Sequence, residues 1–296
     1  MNQTHQGSFV EHEGVHLHYI EYPSDGPPML LLHSLSANAY IFQGLIANGL
    51  SKHFRLIIPD LRGRGFSDHP NEGYTLEQES KDLIALLDHL NIDRVTLAGH
   101  SFGGLLAIYF AAHYPDRVQR LVILDAAVTL NPLTAFLISY STARLLMNYP
   151  SWDSYLEHVR KAPFMDKWDA SILPFLKADV REESDGRIFP RSSWIDITKA
   201  AYHIFSISEW QWKKYVGSIE VPTVLLYARD AYTHGQHIVL RADVVKTIAL
   251  LKDGTDKEIE GNHVTMLFGK GAGEIVSTMA RFGRVAKKAP SPAMSL

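Results

Sequence analysis

Along most of the chain, short and nearly continuous apolar runs alternate with longer stretches of helical spacing. The opening segment differs. From Phe9 to Tyr22 the residues alternate, with Val15, Leu17 and Tyr19 on one face, His16, His18 and Ile20 on the other, and Gly14 as the turn. That pattern predicts a β-hairpin whose histidine face is solvated. Pro27-Pro28 then opens Met29-Leu30-Leu31-Leu32-His33, a run suited to a strand covered on both faces of a parallel sheet. A helix is expected from Tyr40 to Leu50 and a strand from Phe54 to Pro59. Thr75 and Gln78 form a capping box for a helix carrying Leu83, Leu86, Leu87 and Leu90 on one face.

Val95 to Ala98 and Leu121 to Leu124 read as further buried strands, with a strongly apolar helix between them that stops near Tyr114-Pro115. From Thr129 to Gly217 clear strands vanish. Helices there are expected to break at Pro132, Pro150, Pro163, Pro174 and Pro190, and all five tryptophans (Trp152, Trp168, Trp194, Trp210, Trp212) fall in this stretch. Pro222 to Tyr227 restores the strand pattern, Val244, Val245, Ile248 and Leu251 mark a helix, Lys257 to Glu260 a short strand, and Glu274 to Arg284 a last helix before a frayed tail at 286–296. The expected architecture is α/β. A mostly parallel, doubly wound sheet forms a core from residues 1–128 and 218–296, interrupted by a helical cap at 129–217.

Composition narrows the function. A net charge of −3 without a long Lys/Arg cluster argues against nucleic acid as a partner, and Lys287-Lys288 reads as a solvated end. The chain has no cysteine, which removes disulfides, thiolate metal sites and a cysteine nucleophile together. Its first eight residues lack the pattern of a signal peptide, and no apolar run is long enough to cross a bilayer, so the expectation is a cytoplasmic protein with no membrane partner. His16 and His18 share a strand face and could in principle hold a metal, but a solvated strand face is favoured over a metal site. No cofactor is expected.

The chemistry centres on Gly99-His100-Ser101-Phe102-Gly103, set between a strand and a helix. A Gly-rich turn with Ser101 as a helix cap would use the same letters. A nucleophile elbow would too, with glycines where strand and helix backbones crowd together and the serine at the point of the turn. Other polar residues also fall at strand ends: Ser34-Leu35, Asp125, Asp230 and His263.

The order serine, acid, histidine resembles the α/β-hydrolases over the whole chain. Asp60-x-Arg62-Gly63-x-Gly65-x-Ser67 is similar to a loop of the branch holding ester hydrolases, haloalkane dehalogenases and epoxide hydrolases, and the Tyr74-to-Leu90 helix follows at the corresponding place. The resemblance implies Ser101 as nucleophile, His263 as base and Asp230 as the acid orienting it, with the N–H groups of Leu35 and Phe102 as oxyanion hole. Asp125 is the alternative acid. Asp230 is favoured because its loop meets the histidine in most relatives.

His33-Ser34 stands where relatives usually have His-Gly, and a His-Ser version resembles the enol-lactonase branch; the Ser34 side chain is then placed to hydrogen-bond substrate. Ser34, His100, Trp152 and Trp210 are the candidate substrate-binding residues, the tryptophans as an apolar roof. His33 reads as packing or support, and His234 and His237 as exposed. Asp60, Arg62 and Ser67 read as structural, tying their loop through a charged pair.

Relatives that open epoxides or remove halogen carry aspartate at the elbow, so Ser101 argues against both. The expected activity is hydrolysis of a carboxylic ester or lactone with an apolar part, through an acyl-enzyme. A carbon–carbon bond hydrolase of vinylogous diketones uses the same triad and would want an acid-binding cap, for which Arg144, Arg160, Arg181 and Arg191 are available. A small-molecule receptor on the same fold is the reading from outside enzymes. A homodimer stays open.

Overall fold

The apolar runs become strands of one sheet. A computed structural model describes residues 7–128, 131 and 133–283. The first six residues, the start of the insertion at Thr129, the break at Pro132 and the tail from Arg284 through Lys287-Lys288 lie outside the described residues. In chain order the elements are β1 (Ser8–His12), β2 (Val15–Tyr22), β3 (Pro28–Leu32), α1 (Gln43–Ala47), β4 (Arg55–Pro59), α2 (Leu76–His89), β5 (Val95–His100), α3 (Phe102–His113) and β6 (Val118–Leu124). Next come α4 (Thr134–Thr142), α5 (Trp152–Arg160), α6 (Leu173–Asp179), β7 (Val180–Glu182), β8 (Ile188–Pro190), α7 (Trp194–Ser206) and α8 (Glu209–Gly217). The chain ends with β9 (Thr223–Ala228), α9 (Arg241–Leu250), β10 (Gly254–Ile259) and α10 (Gly269–Phe282).

Among the described residues, eight strands form the main sheet in the order β1-β2-β4-β3-β5-β6-β9-β10. Only β1–β2 and β2–β4 pair antiparallel; the remaining neighbours are parallel. Every residue of β5 and β9 is buried, as continuous apolar strands require when helices cover both faces. The strand ends that carry Ser101, Asp125 and His263 therefore lie along one edge of three neighbouring or near-neighbouring strands, β5, β6 and β10.

The hairpin turn uses positive φ at both Glu13 (50°) and Gly14 (77°), the handedness that suits a two-residue connection. Its histidine face is not solvated throughout. His16 is exposed beside Asp68, but His18 is buried with Nδ1 2.7 Å from Asp60 Oδ2. The cause is the loop after β4, which folds back over this end of β2: Ser67 Oγ accepts from the His18 N–H at 2.9 Å and donates to the Asp60 carbonyl at 2.6 Å.

The same loop holds itself differently from the expected Asp60–Arg62 pairing. Arg62 forms a two-pronged pair with Asp82 of α2, at 2.7 Å for both Nε–Oδ2 and Nη2–Oδ1, and His12 Nδ1 lies 2.8 Å from the same carboxylate. Asp60 accepts from the N–H groups of Ala39 and Phe66 besides its contact with His18. Only half of the capping box forms: Thr75 Oγ1 accepts from the Gln78 N–H, while the Gln78 amide donates to Glu13.

Between β6 and β9 the chain adds no strand to the main sheet, and α4 to α8 fill the interval. It does contain the β7–β8 hairpin, whose strands, of three residues each, are too short to stand out as apolar runs. Asp185-Gly186, with Gly186 at φ 82°, is the turn signal that could have found it. Pro174 starts α6 and Pro190 ends β8, so neither breaks a helix.

The Arg62–Asp82 pair, with both side chains 4% exposed, gives a direct test of how the loop is held. Asp82→Ala strands a buried guanidinium, and urea unfolding should then read a loss of about 3–5 kcal/mol. A change near zero would mean that water reaches Arg62.

Candidate active site

Ser101 sits between β5 and α3 with φ 55° and ψ −118°, a conformation that a non-glycine residue adopts at a cost of about 1–3 kcal/mol. The glycines around it explain how the turn closes. A Cβ on Gly99 would overlap the Gly103 carbonyl, and one on Gly103 would overlap the Leu32 carbonyl of β3. The Ser101 N–H donates to the Leu124 carbonyl at 2.9 Å, anchoring the turn to β6, and its hydroxyl caps no helix N–H. The helix-cap reading of Ser101 therefore does not hold.

That hydroxyl is 3.0 Å from His263 Nε2, and His263 Nδ1 is 2.6 Å from Asp125 Oδ2. A carboxylate only accepts, so Nδ1 carries the proton and Nε2 presents a lone pair to the serine O–H. Asp125 follows β6 with φ 46°, and its other oxygen accepts from the Ala228 N–H at 2.9 Å. It is 2% exposed.

Asp230, the expected acid, is not in this chain of contacts. Its carboxylate turns outward to Lys167 Nζ at 2.6 Å and to Arg229 Nε at 3.2 Å. The hydrogen bond from Lys167 leads the effects that hold its carboxyl below the usual aspartate range. The sequence did carry a signal for Asp125: it is a lone carboxylate within Leu121 to Val128, an otherwise apolar stretch, and a buried carboxylate has to find a partner.

His100 supports the histidine. Its Nε2 lies 2.7 Å from the His263 carbonyl, so Nε2 carries the proton, and its ring packs 4.7 Å from the His263 ring. Burial, followed by the neighbouring His263, holds His100 well below the usual histidine range, so it stays neutral.

The loop after β3 shows the same care with protons. His33 Nδ1–H donates to the Ser34 carbonyl at 2.8 Å, and its Nε2 accepts from the Leu61 N–H at 3.0 Å. The Ala37 N–H reaches the same Ser34 carbonyl at 3.1 Å. With the Ser34 carbonyl fixed on one side of its peptide plane, the Leu35 N–H on the other side meets no protein acceptor among the described residues. Phe102 begins α3, so its N–H also has no intrahelical partner. Two such free donors flanking a serine can hold a developing oxyanion.

Two chambers meet at Ser101 and Leu35. The first is bordered by His263, Ser34, His100 and Tyr232, and by the inserted residues Tyr140, Thr142, His158, Phe164 and Phe175. The second is more apolar, lined by Phe102, Leu105, Ala201, Ile204, Phe205 and Val239, with the Thr134 hydroxyl buried and unpartnered among the described residues. Ser34 and His100 thus border the site as expected.

The tryptophans do not. Trp152 lies under the Lys177 ammonium, 3.7 Å from its ring centre, and against Tyr155, while Trp210 is 70% exposed on α8. Isoleucine, phenylalanine and tyrosine side chains form the roof in their place.

His33 makes the stability of this loop depend on pH. Burial outweighs the favourable Asp60 charge and lowers its pKa from 6.5 to about 4. Between those values the unfolded chain binds a proton that the native chain refuses. The contribution is therefore complete above pH 6.5 and is lost as pH falls toward about 4, about 3 kcal/mol in all. Urea unfolding from about pH 7 to about pH 4 should show this slope, shallower in His33→Gln, with buried His100 keeping part of it. An identical slope in the variant would remove His33 as its source.

Comparison with known proteins bears on the fold. The family model described as alpha/beta hydrolase fold matches residues 27–237. The chain is 37% identical over 121 residues to a cis-3-alkyl-4-alkyloxetan-2-one decarboxylase of Shewanella oneidensis, covering 40% of this chain and 37% of that protein. It is 32% identical over 183 residues to a 2-hydroxy-6-oxo-2,4-heptadienoate hydrolase of Pseudomonas putida, covering 58% of this chain and 64% of that one. The aligned stretches thus span less than two thirds of either relative. The crystal structure of E-2-(acetamidomethylene)succinate hydrolase superposes with a TM-score of 0.81 at 22% identity, covering 94% of this chain and 98% of that one. With its matched segment running from β3 to the loop beyond β9, this chain belongs to the alpha/beta hydrolase fold family.

Proposed function

We propose that the protein is a serine hydrolase that cleaves a carboxylic ester or lactone through an acyl-enzyme, with Ser101 as nucleophile, His263 as base and Asp125 as the acid that orients it. The observation that carries the reading is the unbroken line from Ser101 Oγ through His263 to Asp125, at 3.0 and 2.6 Å. As Oγ attacks the carbonyl carbon, its proton passes to His263 Nε2 and the oxyanion forms against the Leu35 and Phe102 N–H groups. Collapse breaks the bond to the leaving alkoxide, which takes the proton from His263. Water then gives a proton to His263 and attacks the acyl carbon, and the second collapse returns that proton to Ser101 as the acid departs. Asp125 stays ionised and stabilises the imidazolium throughout.

The same proton transfer orients the substrate. His263 must reach the leaving oxygen, and it borders the first chamber but not the second. The leaving group therefore belongs in the chamber of Tyr140, Thr142 and His158. The acyl group fits the apolar chamber of Phe102, Ile204 and Phe205, where Thr134 offers one hydrogen bond. The helical insertion acts as the cap that closes both, and the inner substrate class is a small molecule with an apolar acyl part.

A carbon–carbon bond hydrolase is the second reading, favoured by the length of the match to the heptadienoate hydrolase. Such an acid substrate needs a free cation. Arg144 reaches the first chamber, but Asp179, Ser36 and Ser141 accept from it on every nitrogen. Arg160, Arg181 and Arg191 line neither chamber: Arg160 lies on Trp168, Arg191 on Phe66, and Arg181 pairs with Glu183. The ester reading is preferred on that ground.

Hydrolysis of p-nitrophenyl esters of rising acyl length tests the assignment. Ser101→Ala should abolish turnover, Asp125→Asn should lower kcat by about 10⁴-fold, and Asp230→Asn should leave it intact. The opposite ranking of the two aspartates would restore Asp230 as the acid. Ala201→Trp, filling the apolar chamber, should shorten the preferred acyl chain in this series and leave the ranking of different alcohol esters of one acid unchanged; a change in that ranking alone would reverse the two chambers.

A further inference from the structure

We infer that Arg144 is a positioning residue for the oxyanion loop, through which the seating of the inserted helices sets the place of the Leu35 N–H donor. This rests on the serine hydrolase reading and deepens it. Arg144 follows α4, well outside the sheet, yet it is 8% exposed and its Nη2–H donates to the Ser36 carbonyl at 2.6 Å. Nη1 donates to Ser36 Oγ at 3.2 Å and to the Ser141 carbonyl. The remaining donors grip Asp179, at the end of α6, with Nε at 2.7 Å and Nη2 at 2.8 Å. Tyr155 of α5 completes the cluster, donating its O–H to Asp179 Oδ2 at 2.7 Å. Burial and the Asp179 charge hold the Tyr155 phenol well above its usual range, so it remains a donor.

Five N–H groups thus meet acceptors from α4, α6 and the loop at Ser36, which leaves none for substrate. That argues against a binding role and for a mechanical one. A planar guanidinium with every donor used has one orientation. The loop it grips is already held on the core side, where the Arg64 Nε–H donates to the Leu35 carbonyl at 3.1 Å. Asn38, three residues beyond Leu35, donates to the Phe175 carbonyl of α6 at 3.2 Å. Successive carbonyls at 34, 35 and 36 are therefore fixed by His33, Arg64 and Arg144. The first two belong to the core; only the third comes from the insertion. If the inserted helices shift, the peptide two along from the Leu35 N–H loses its outer anchor.

Arg144→Lys keeps the charge but cannot span Ser36 and Asp179 together. The test compares it with wild type on a p-nitrophenyl ester, and on a trifluoromethyl ketone with the same acyl chain, whose tetrahedral adduct depends on the oxyanion donors. The expected result is a folded variant with KM unchanged, kcat lower by about 10- to 100-fold, and the ketone's Ki raised by a similar factor. Outright loss of an oxyanion donor would cost about 10²–10³-fold, which sets the ceiling.

Tyr155→Phe, which loosens Asp179 without touching the arginine, should show a smaller change of the same kind and serves if the lysine variant does not fold. A raised KM with kcat intact, or a kcat loss without a change in Ki, overturns the proposal. No turnover in wild type, or turnover that survives Ser101→Ala, removes the serine hydrolase reading and this inference together. Ser101-dependent turnover with normal kcat and Ki in the folded variants removes this inference alone.

Discussion

The site depends on one strained residue being held from several sides. Ser101 adopts φ 55° and ψ −118°, and an isolated chain would relax out of that conformation. Here it cannot relax. β5 is buried along its whole length, α3 packs directly on it and on β6, and the Ser101 N–H is tied to Leu124. The glycines at 99 and 103 make that close approach sterically feasible. Burial of apolar strand and helix therefore supplies what the turn costs, and a half-buried hydroxyl facing both chambers is the result. The three other site groups stand on strand ends of this same sheet, so the rigidity that holds the serine also holds its partners.

The strands, the elbow and the histidine could be read from the sequence because each rests on local constraints. Continuous apolar runs specify buried parallel strands, and Gly99 and Gly103 specify a close crossing. The acid could not be settled locally. Asp125 and Asp230 end adjacent strands, β6 and β9, and β9 is the one next to β10, which leads to His263. Strand adjacency favours Asp230. Side-chain direction separates the two: Asp125 points inward to the Ala228 N–H and His263, whereas Asp230 is drawn out by Lys167. Lys167 lies 63 residues away in sequence, and no periodicity would connect them.

The roof was illegible for a related reason. Aromatic residues concentrate where helices pack, and packing faces differ from lining faces by a rotation of the helix that composition cannot report. Trp152 and Trp210 fell on the wrong side of that rotation. Tyr140 and Phe175, in the same segment, fell on the right one. His18 was misplaced by a tertiary event of the same sort, the return of the loop after β4 across a strand that looked half-solvated.

The choice of acid also changes what the loop after β9 can do. With Asp125 oriented toward His263, Asp230 is released to pair with Lys167 of the insertion, while Asn262, next to His263, donates to the Phe164 carbonyl at 2.8 Å and to Asp166 at 3.0 Å. The segment 164–167 is thus pinned to the loop of His263. Arg144 and Phe175 are pinned to the loop of Leu35. An exposed ion pair such as Lys167–Asp230 contributes little alone, about 0–1 kcal/mol. Its effect is geometric, because it fixes one margin of a cover whose other margin is held by a buried, fully bonded guanidinium. The inserted helices consequently meet the core at the two loops whose positions the proposed chemistry needs most, and movement of the cover cannot leave those loops unaffected.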